Sequence, residues 1–274
     1  MSLMINSCYL DTTILIEALL KTSRRRRKAR SAIKEFKHSA LPVYAIKEMG
    51  LGALDNAVWT YNRLIENRSL TKTYEVITKS IYYRSYRAGT AIEVLQAASE
   101  GITGADLSDA RTFAQTDRMQ ADMHALALRR LIQNAWRDRR KLTSEVVDEL
   151  TCFPDSGPYF DEELKIMRPA TANCPPRVDC GYAKDLRMRP QDLQSLLHVI
   201  EGSDAREDVR RRKALHTLKN TPKREFDNKL CRGLGDAYFA LNCPSNSTIL
   251  TTNAKDHEPL AGALGKAVTE YKPT

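Results

Sequence analysis

The stretch LMINSCYLDTTILIEALL, residues 3–20, decides the fold class. Residues 3–10 are a short apolar run of strand length, and the run ends abruptly at Asp11-Thr12-Thr13. Those three residues can all cap a helix, and ILIEALL follows as its first turns. A strand feeding directly into a helix is half of an α/β unit. The other half stands at the far end of the chain. KLCRGLGDAYFALNC (229–243) reads as a helix interrupted around Gly233 and Gly235, and STILTTN (247–253) as a strand. PLAGALG (259–265) reads as a short helix and KAVTEY (266–271) as a final strand. The expected architecture is one α/β domain.

Between these halves the pattern is helical. His38 to Leu41 reads as a connector, and Pro42 suits the first turn of a helix carrying VYAIKEM. That helix can continue, with a break at Gly50 and Gly52, to about Asn67. Segments 72–98, 105–140 and 143–150 space their apolar residues at three and four. Residues 151–190 hold Pro154, Pro158, Pro169, Pro175, Pro176 and Pro190 and read as a long irregular loop. Helical spacing resumes over 190–201 and 205–219. The sequence therefore predicts a discontinuous core, 1–67 and 225–274, interrupted by a mostly helical insertion over 68–224.

With 274 residues, 42% of them apolar, the chain can bury a sizeable core. Lys and Arg outnumber Asp and Glu by 43 to 34, and the net charge of +9 favours a polyanionic partner. The surplus is clustered. Arg24, Arg25, Arg26, Arg27, Lys28 and Arg30 form one group; Arg137, Arg139, Arg140 and Lys141 a second; Arg210, Arg211, Arg212 and Lys213 a third. Each would release counterions from a phosphate backbone, or would simply form a solvated helix face. Tyr82, Tyr83 and Tyr86 interleave with arginine and could stack on unpaired bases, or pack between helices.

The six cysteines are scattered, unlike a disulfide-stapled domain. Cys8 and Cys243 fall in apolar stretches, and the spacing of Cys152, Cys174, Cys180 and His198 fits no compact zinc knuckle. No apolar run approaches the ~20 residues of a membrane span. Asp11 and Glu17 interrupt the N-terminal apolar stretch, whose basic residues come after it, the wrong order for a signal peptide. The expectation is a cytoplasmic protein with no membrane partner.

The acids carry the chemistry. Asp11 follows the first strand, Asp236 opens a helix, and Asp256 closely follows the strand STILTTN. Ligands of parallel sheets gather at the carboxyl ends of strands, so these acids can meet despite their separation. Glu48, in VYAIKEM, is the natural fourth. Crowded carboxylates repel unless a cation neutralises them, and oxygen ligands favour Mg²⁺ or Mn²⁺.

INSCYLDTTILIEALL resembles the opening of the PIN-domain ribonucleases, a strand followed by Asp, a small hydroxyl residue and an apolar helix. LPVYAIKEM, LGDAYFALNC and ILTTNAKDHEPLAGALG resemble the family's later motifs, in the family's order. The resemblance implies three layers around a central, mainly parallel sheet. It also implies a metal-dependent endoribonuclease with Asp11, Glu48 and Asp236 as both metal-binding and catalytic core. The fourth ligand is either Asn253, two residues after Thr251, or Asp256. Thr12, Thr251 and Thr252 would support the carboxylates or a water. Arg24, Arg25, Arg26, Arg27, Arg139, Arg140, Arg211 and Arg212 are the candidate RNA contacts.

Small relatives commonly act as toxins or phage-defence effectors on structured RNA such as tRNA, restrained by a partner protein, and a homo-oligomer fits the same picture. Two departures stand out: His257 where an aromatic normally packs, and the long interval between Glu48 and Asp236. A non-catalytic nucleic-acid-binding or scaffold protein, and a DNA or flap-type nuclease using the insertion as an arch, are the competing classes.

Overall fold

A computed structural model of the chain describes residues 6–81, 85–100, 102, 113–147, 157–171, 181–221 and 228–273. Strand β1 (Ser7–Leu10) is the middle of a five-stranded sheet. Cys8, Tyr9 and Leu10 are fully buried, so alternate side chains face apolar surroundings on both sides, as a covered parallel sheet requires. On one edge β1 pairs in parallel with β2 (His38–Pro42), which in turn pairs with β3 (Glu145–Val147). On the other it pairs with β6 (Ser247–Thr251), which pairs with β7 (Ala267–Glu270). Every ladder of this sheet is parallel, and its order is β3-β2-β1-β6-β7.

Helices flank the sheet. The strand–helix unit expected at the start is β1 and α1 (Thr12–Leu20), followed by the basic α2 (Ser23–Lys34). After β2 comes α3 (Val43–Met49), which passes through a π turn at Gly50–Leu54 into α4 (Asp55–Asn67). The break expected at Gly50 and Gly52 is thus a widened turn in an unbroken helix, a feature common near functional sites. α5 (Leu70–Ile81), α6 (Ser85–Ser99) and α7 (Phe113–Asp138) pack on α4 and on one another.

Three segments differ from the sequence reading. His38–Leu41 is strand, not connector. Its backbone is claimed by β1, and Ser39 and Ser144 bond reciprocally, Ser39 N to Ser144 Oγ at 3.0 Å and Ser144 N to Ser39 Oγ at 3.2 Å. Pro42 accordingly ends the strand, with extended ψ, rather than opening the helix. Residues 145–147 lie in β3, not a helix, so the sheet draws its outer strand from the 68–224 stretch. The proline-rich 151–190 region holds an antiparallel hairpin, β4 (Tyr159–Asp161) with β5 (Ile166–Arg168), and helix α8 (Gly181–Arg187).

α9 (Pro190–Ile200) and α10 (Arg206–Asn220) follow, and α10 packs against α11 (Asn228–Gly233). α12 (Gly235–Asn242) and α13 (Ala254–Ala263) complete the chain with β6 and β7. Tyr182 of α8 packs edge-on against Tyr238 of α12, which stacks on Tyr44 of α3 at 4.6 Å between centroids. This buried aromatic group ties α3, α8 and α12 together beside the sheet. No helix among the described residues is long and apolar enough to cross a membrane.

Candidate active site

Asp11 is 3% exposed and caps α1, its Oδ1 accepting from Thr12 N at 2.6 Å. Its Oδ2 accepts from Thr13 Oγ1 at 2.6 Å and from Thr251 Oγ1 at 2.8 Å. Thr251 is the last residue of β6, so the carboxyl ends of two adjacent strands converge on one carboxylate. The turn after β6 is locked by the same hydroxyls: Thr252 N donates to Thr13 Oγ1 and Asn253 N to Thr251 Oγ1, both at 3.0 Å.

Glu48, partly buried on α3, accepts from Thr12 Oγ1 at 2.6 Å through Oε2. Asp236 lies in the first turn of α12, where Gly235 lets Glu48 and Tyr44 approach the backbone. A Cβ there would stand 2.8 Å from Glu48 Oε1. Asp11, Glu48, Asp236 and Asn253 line one cleft of about 840 Å³. Asp256 is not among its lining residues. It sits in the first turn of α13, and its carboxylate accepts from Asn253 Nδ2, so of the two candidate fourth ligands only Asn253 lines the cleft.

Two internal basic side chains attend these acids. Arg211 of α10 is 5% exposed and donates to Asp236 Oδ2 and, at 2.7 Å, to Asp208 Oδ1. His257 of α13 places Nε2 3.5 Å from Asp11 Oδ2 and 3.7 Å from Asp236 Oδ1. Its ring meets the edge of Phe239, and its Nδ1 is buried without a hydrogen-bond partner among the described residues.

Burial alone would raise the Asp11 carboxyl, but the hydrogen bond and charge of His257, with the hydroxyls of Thr13 and Thr251, hold it below its ordinary value. Burial opposes the charge on His257, and Asp11 and Asp236 more than restore it. Among the described residues no basic side chain is hydrogen-bonded to Glu48. Burial pushes its carboxyl up to about 7, with Asp11 and Asp236 adding to the rise and the Thr12 hydrogen bond opposing it.

The expected metal triad is therefore only partly assembled. The three carboxylates face one cleft, but among the described residues no three His, Cys, Asp or Glu side chains are grouped to hold a metal ion. Like charges separate unless a countercharge holds them, and here Arg211 turns Asp236 aside while His257 stands between Asp236 and Asp11. The donor set nevertheless fits a hard cation. Glu48, with no basic side chain hydrogen-bonded to it among the described residues, is the one whose ionisation its neighbours suppress, and added positive charge would relieve that.

The basic clusters are distributed unevenly. Arg211 is not an RNA contact but a buried ion-pair partner, and Arg212 donates to Ile200 O and Ser203 O at 3.0 and 3.1 Å. Arg25 is engaged by Glu17 and Glu93, again within the fold. Arg139 lies over the Trp136 ring at 3.6 Å, while Arg24 and Arg140 are exposed. Arg26 and Arg27 line a separate cleft. Tyr82, Tyr83, Cys152, Cys174 and Cys180 lie outside the described residues, as does the Tyr86 side chain.

The cations that do line the carboxylate cleft are Lys47, Arg206, Arg210 and Arg232. Arg206 and Arg210 are four apart on α10, a spacing visible in the sequence as one helix face. Lys47 and Arg232 carry no such local signal. Compared with known proteins, the chain matches no family model, no curated protein and no solved structure.

Proposed function

We propose that this chain is a PIN-like, metal-dependent endoribonuclease whose reacting phosphodiester lies in the cleft between α1, α3, α10 and α12. The observation that supports this best is the pairing of opposite charges in one cleft: Asp11, Glu48 and Asp236 among Lys47, Arg206, Arg210 and Arg232. A polyanion is drawn by the cations, while the acids are suited to a divalent ion that the substrate's phosphate can share. Asp11, Glu48, Asp236 and Asn253 are the residues that would hold Mg²⁺ or Mn²⁺. When bound, such a cation lowers the pKa of a water and stabilises charge on an attacked phosphate.

The protein's own part is positioning. Thr13 and Thr251 fix the Asp11 carboxylate, Thr12 fixes Glu48, and the arginines of α10 can orient the strand through its phosphates. The resemblance extends the proposal to a toxin or phage-defence role on structured RNA, with an inhibitory partner protein.

A second reading, a nucleic-acid-binding protein without catalysis, is favoured by the Arg211–Asp236 pair, which neutralises one acid with no metal. One experiment separates the two, and separates RNA from DNA. Purified protein and Asp11→Asn are incubated with matched RNA and DNA oligonucleotides over a series of Mg²⁺ and Mn²⁺ concentrations. Metal-dependent RNA cleavage lost in Asp11→Asn supports the nuclease; binding without cleavage by either protein supports the second reading; preferential DNA cleavage moves the chain to the wider nuclease class.

A further inference from the structure

α1 leads from the carboxylate cleft to a second, smaller one. Thr12 and Ile16 line the first and Leu19 the second, and at spacings of four and three these residues fall on one stripe of the helix. The second cleft, about 290 Å³, lies where α2 meets α7. Arg26, Arg27 and Arg30 of α2 line it, facing Asn134 and Asp138 of α7.

The charge there is unbalanced. Asp138 already accepts from Arg137 at 3.1 Å and Lys141 at 3.2 Å. Glu100, which accepts from Ser23 N at 2.5 Å, favours the charge on Arg26, but burial weakens that arginine's hold on its proton, and Arg30 and Arg27 push the same way. Arg30 is fixed in place, its Nε donating to Ala18 O at 3.0 Å. A solvated helix face would spread its cations outward. Here three arginines line one recess together with Asn134, whose amide can donate, a setting suited to phosphate oxygens.

We propose that this recess holds a backbone phosphate of the RNA strand whose reacting bond lies in the carboxylate cleft. The inference rests on the nuclease reading of that cleft. From Thr12 to Leu19 the helix rises roughly 10 Å. A few nucleotides of a single strand span that distance, so one oligonucleotide can engage both clefts.

The test uses the full chain and the double variant Arg26→Gln/Arg27→Gln, neither of which lines the carboxylate cleft. Anisotropy of a labelled single-stranded oligoribonucleotide is read over a salt series, with cleavage kinetics and melting temperature alongside. The expected result is RNA affinity lower by roughly five- to ten-fold and a salt slope reduced by about 0.7 per lost phosphate contact. KM should rise with kcat and melting temperature unchanged. Equal affinity and slope in the two proteins would overturn the proposal. Inorganic phosphate is titrated as a separate arm. Saturation of wild type but not the variant at sub-millimolar phosphate, with RNA binding unaffected, would make the recess a small-anion site and overturn the RNA assignment. If neither protein cleaves RNA under any metal, yet the variant binds it more weakly, the recess stands as an RNA site and the nuclease reading alone is lost.

Discussion

Glu48→Gln removes one negative charge and keeps the side-chain shape, including an oxygen that can accept from Thr12 Oγ1. The displacement of the Glu48 carboxyl from its ordinary 4.5 to about 7 corresponds to about 3 kcal/mol, at about 1.4 kcal/mol for each tenfold change in proton affinity. Because the folded value is the higher one, protonated Glu48 stabilises the fold below pH 4.5, and that contribution is lost as pH rises through 7. Glutamine stays neutral throughout. The variant and wild type should therefore unfold alike near pH 4, and by pH 8 the variant should be more stable by about 3 kcal/mol, or roughly 5–10 °C in melting temperature.

Urea unfolding at pH 4, 6 and 8 without divalent ions reads the difference directly. Mn²⁺ at pH 8 should then stabilise wild type more than the variant, since ligand binding to the folded state adds to its stability. A gap that does not change with pH would refute the reasoning, because it would mean that neither burial nor the charges of Asp11 and Asp236 govern Glu48.

Arg211→Gln should lower the melting temperature while raising Mn²⁺ affinity several-fold, measured by calorimetry, since Asp236 loses the cation that now engages it. Asp236→Asn leaves Arg211 with Asp208 alone and should cost about 1–3 kcal/mol in chemical unfolding. RNA cleavage should fall by orders of magnitude while RNA affinity is largely retained; cleavage at the wild-type rate under saturating metal would remove Asp236 from the site. Gly235→Ala places a Cβ against Glu48 Oε1. It should reduce cleavage at least ten-fold with a melting temperature close to wild type, and unaltered cleavage would mean that Glu48 can move without consequence.

The parts of the fold legible in the sequence are those whose signal is local. β1 and α1 announce themselves because an apolar run meets a cap within a few residues, and β6 for the same reason. β2 was not legible: in HSALP only Ala40 and Leu41 are apolar side chains outside proline, and what makes it a strand is the ladder offered by β1. β3 was hidden because Val146, Val147 and Leu150 are spaced as on a helix face, while its pairing with Ala40 to Pro42 depends on residues far away in sequence. The β4–β5 hairpin lies between prolines that read as loop.

The site divides in the same way. Asp11, Asp236 and Thr251 each sit beside a strand end or helix start that can be read locally, and Glu48 lies on the helix that the VYAIKEM pattern gives. Arg211 reads as a candidate RNA contact because a run of arginines looks like an exposed basic face. Its true partner, Asp236, is on another helix, and only packing of α10 against α11 brings the two together.

β1 is zipped on one side to a strand made soon after it and on the other to one made only after the whole intervening 68–224 stretch. Thr251 and Asp11, which share a hydrogen bond, are 240 residues apart. At 5–20 residues per second a ribosome needs roughly 10–50 s to bridge that interval. Throughout it β1 and Asp11 are present while β6 and α12 do not yet exist. The cleft is consequently completed only once α12 and β6 have been made, and a chain interrupted before residue 236 carries one edge of the site with nothing to complete it. The same arrangement makes closure of the central sheet a high-contact-order step, slow relative to the helices around it. The proposed enzyme is thus inert until α12 and β6 have been made, its activity deferred by topology.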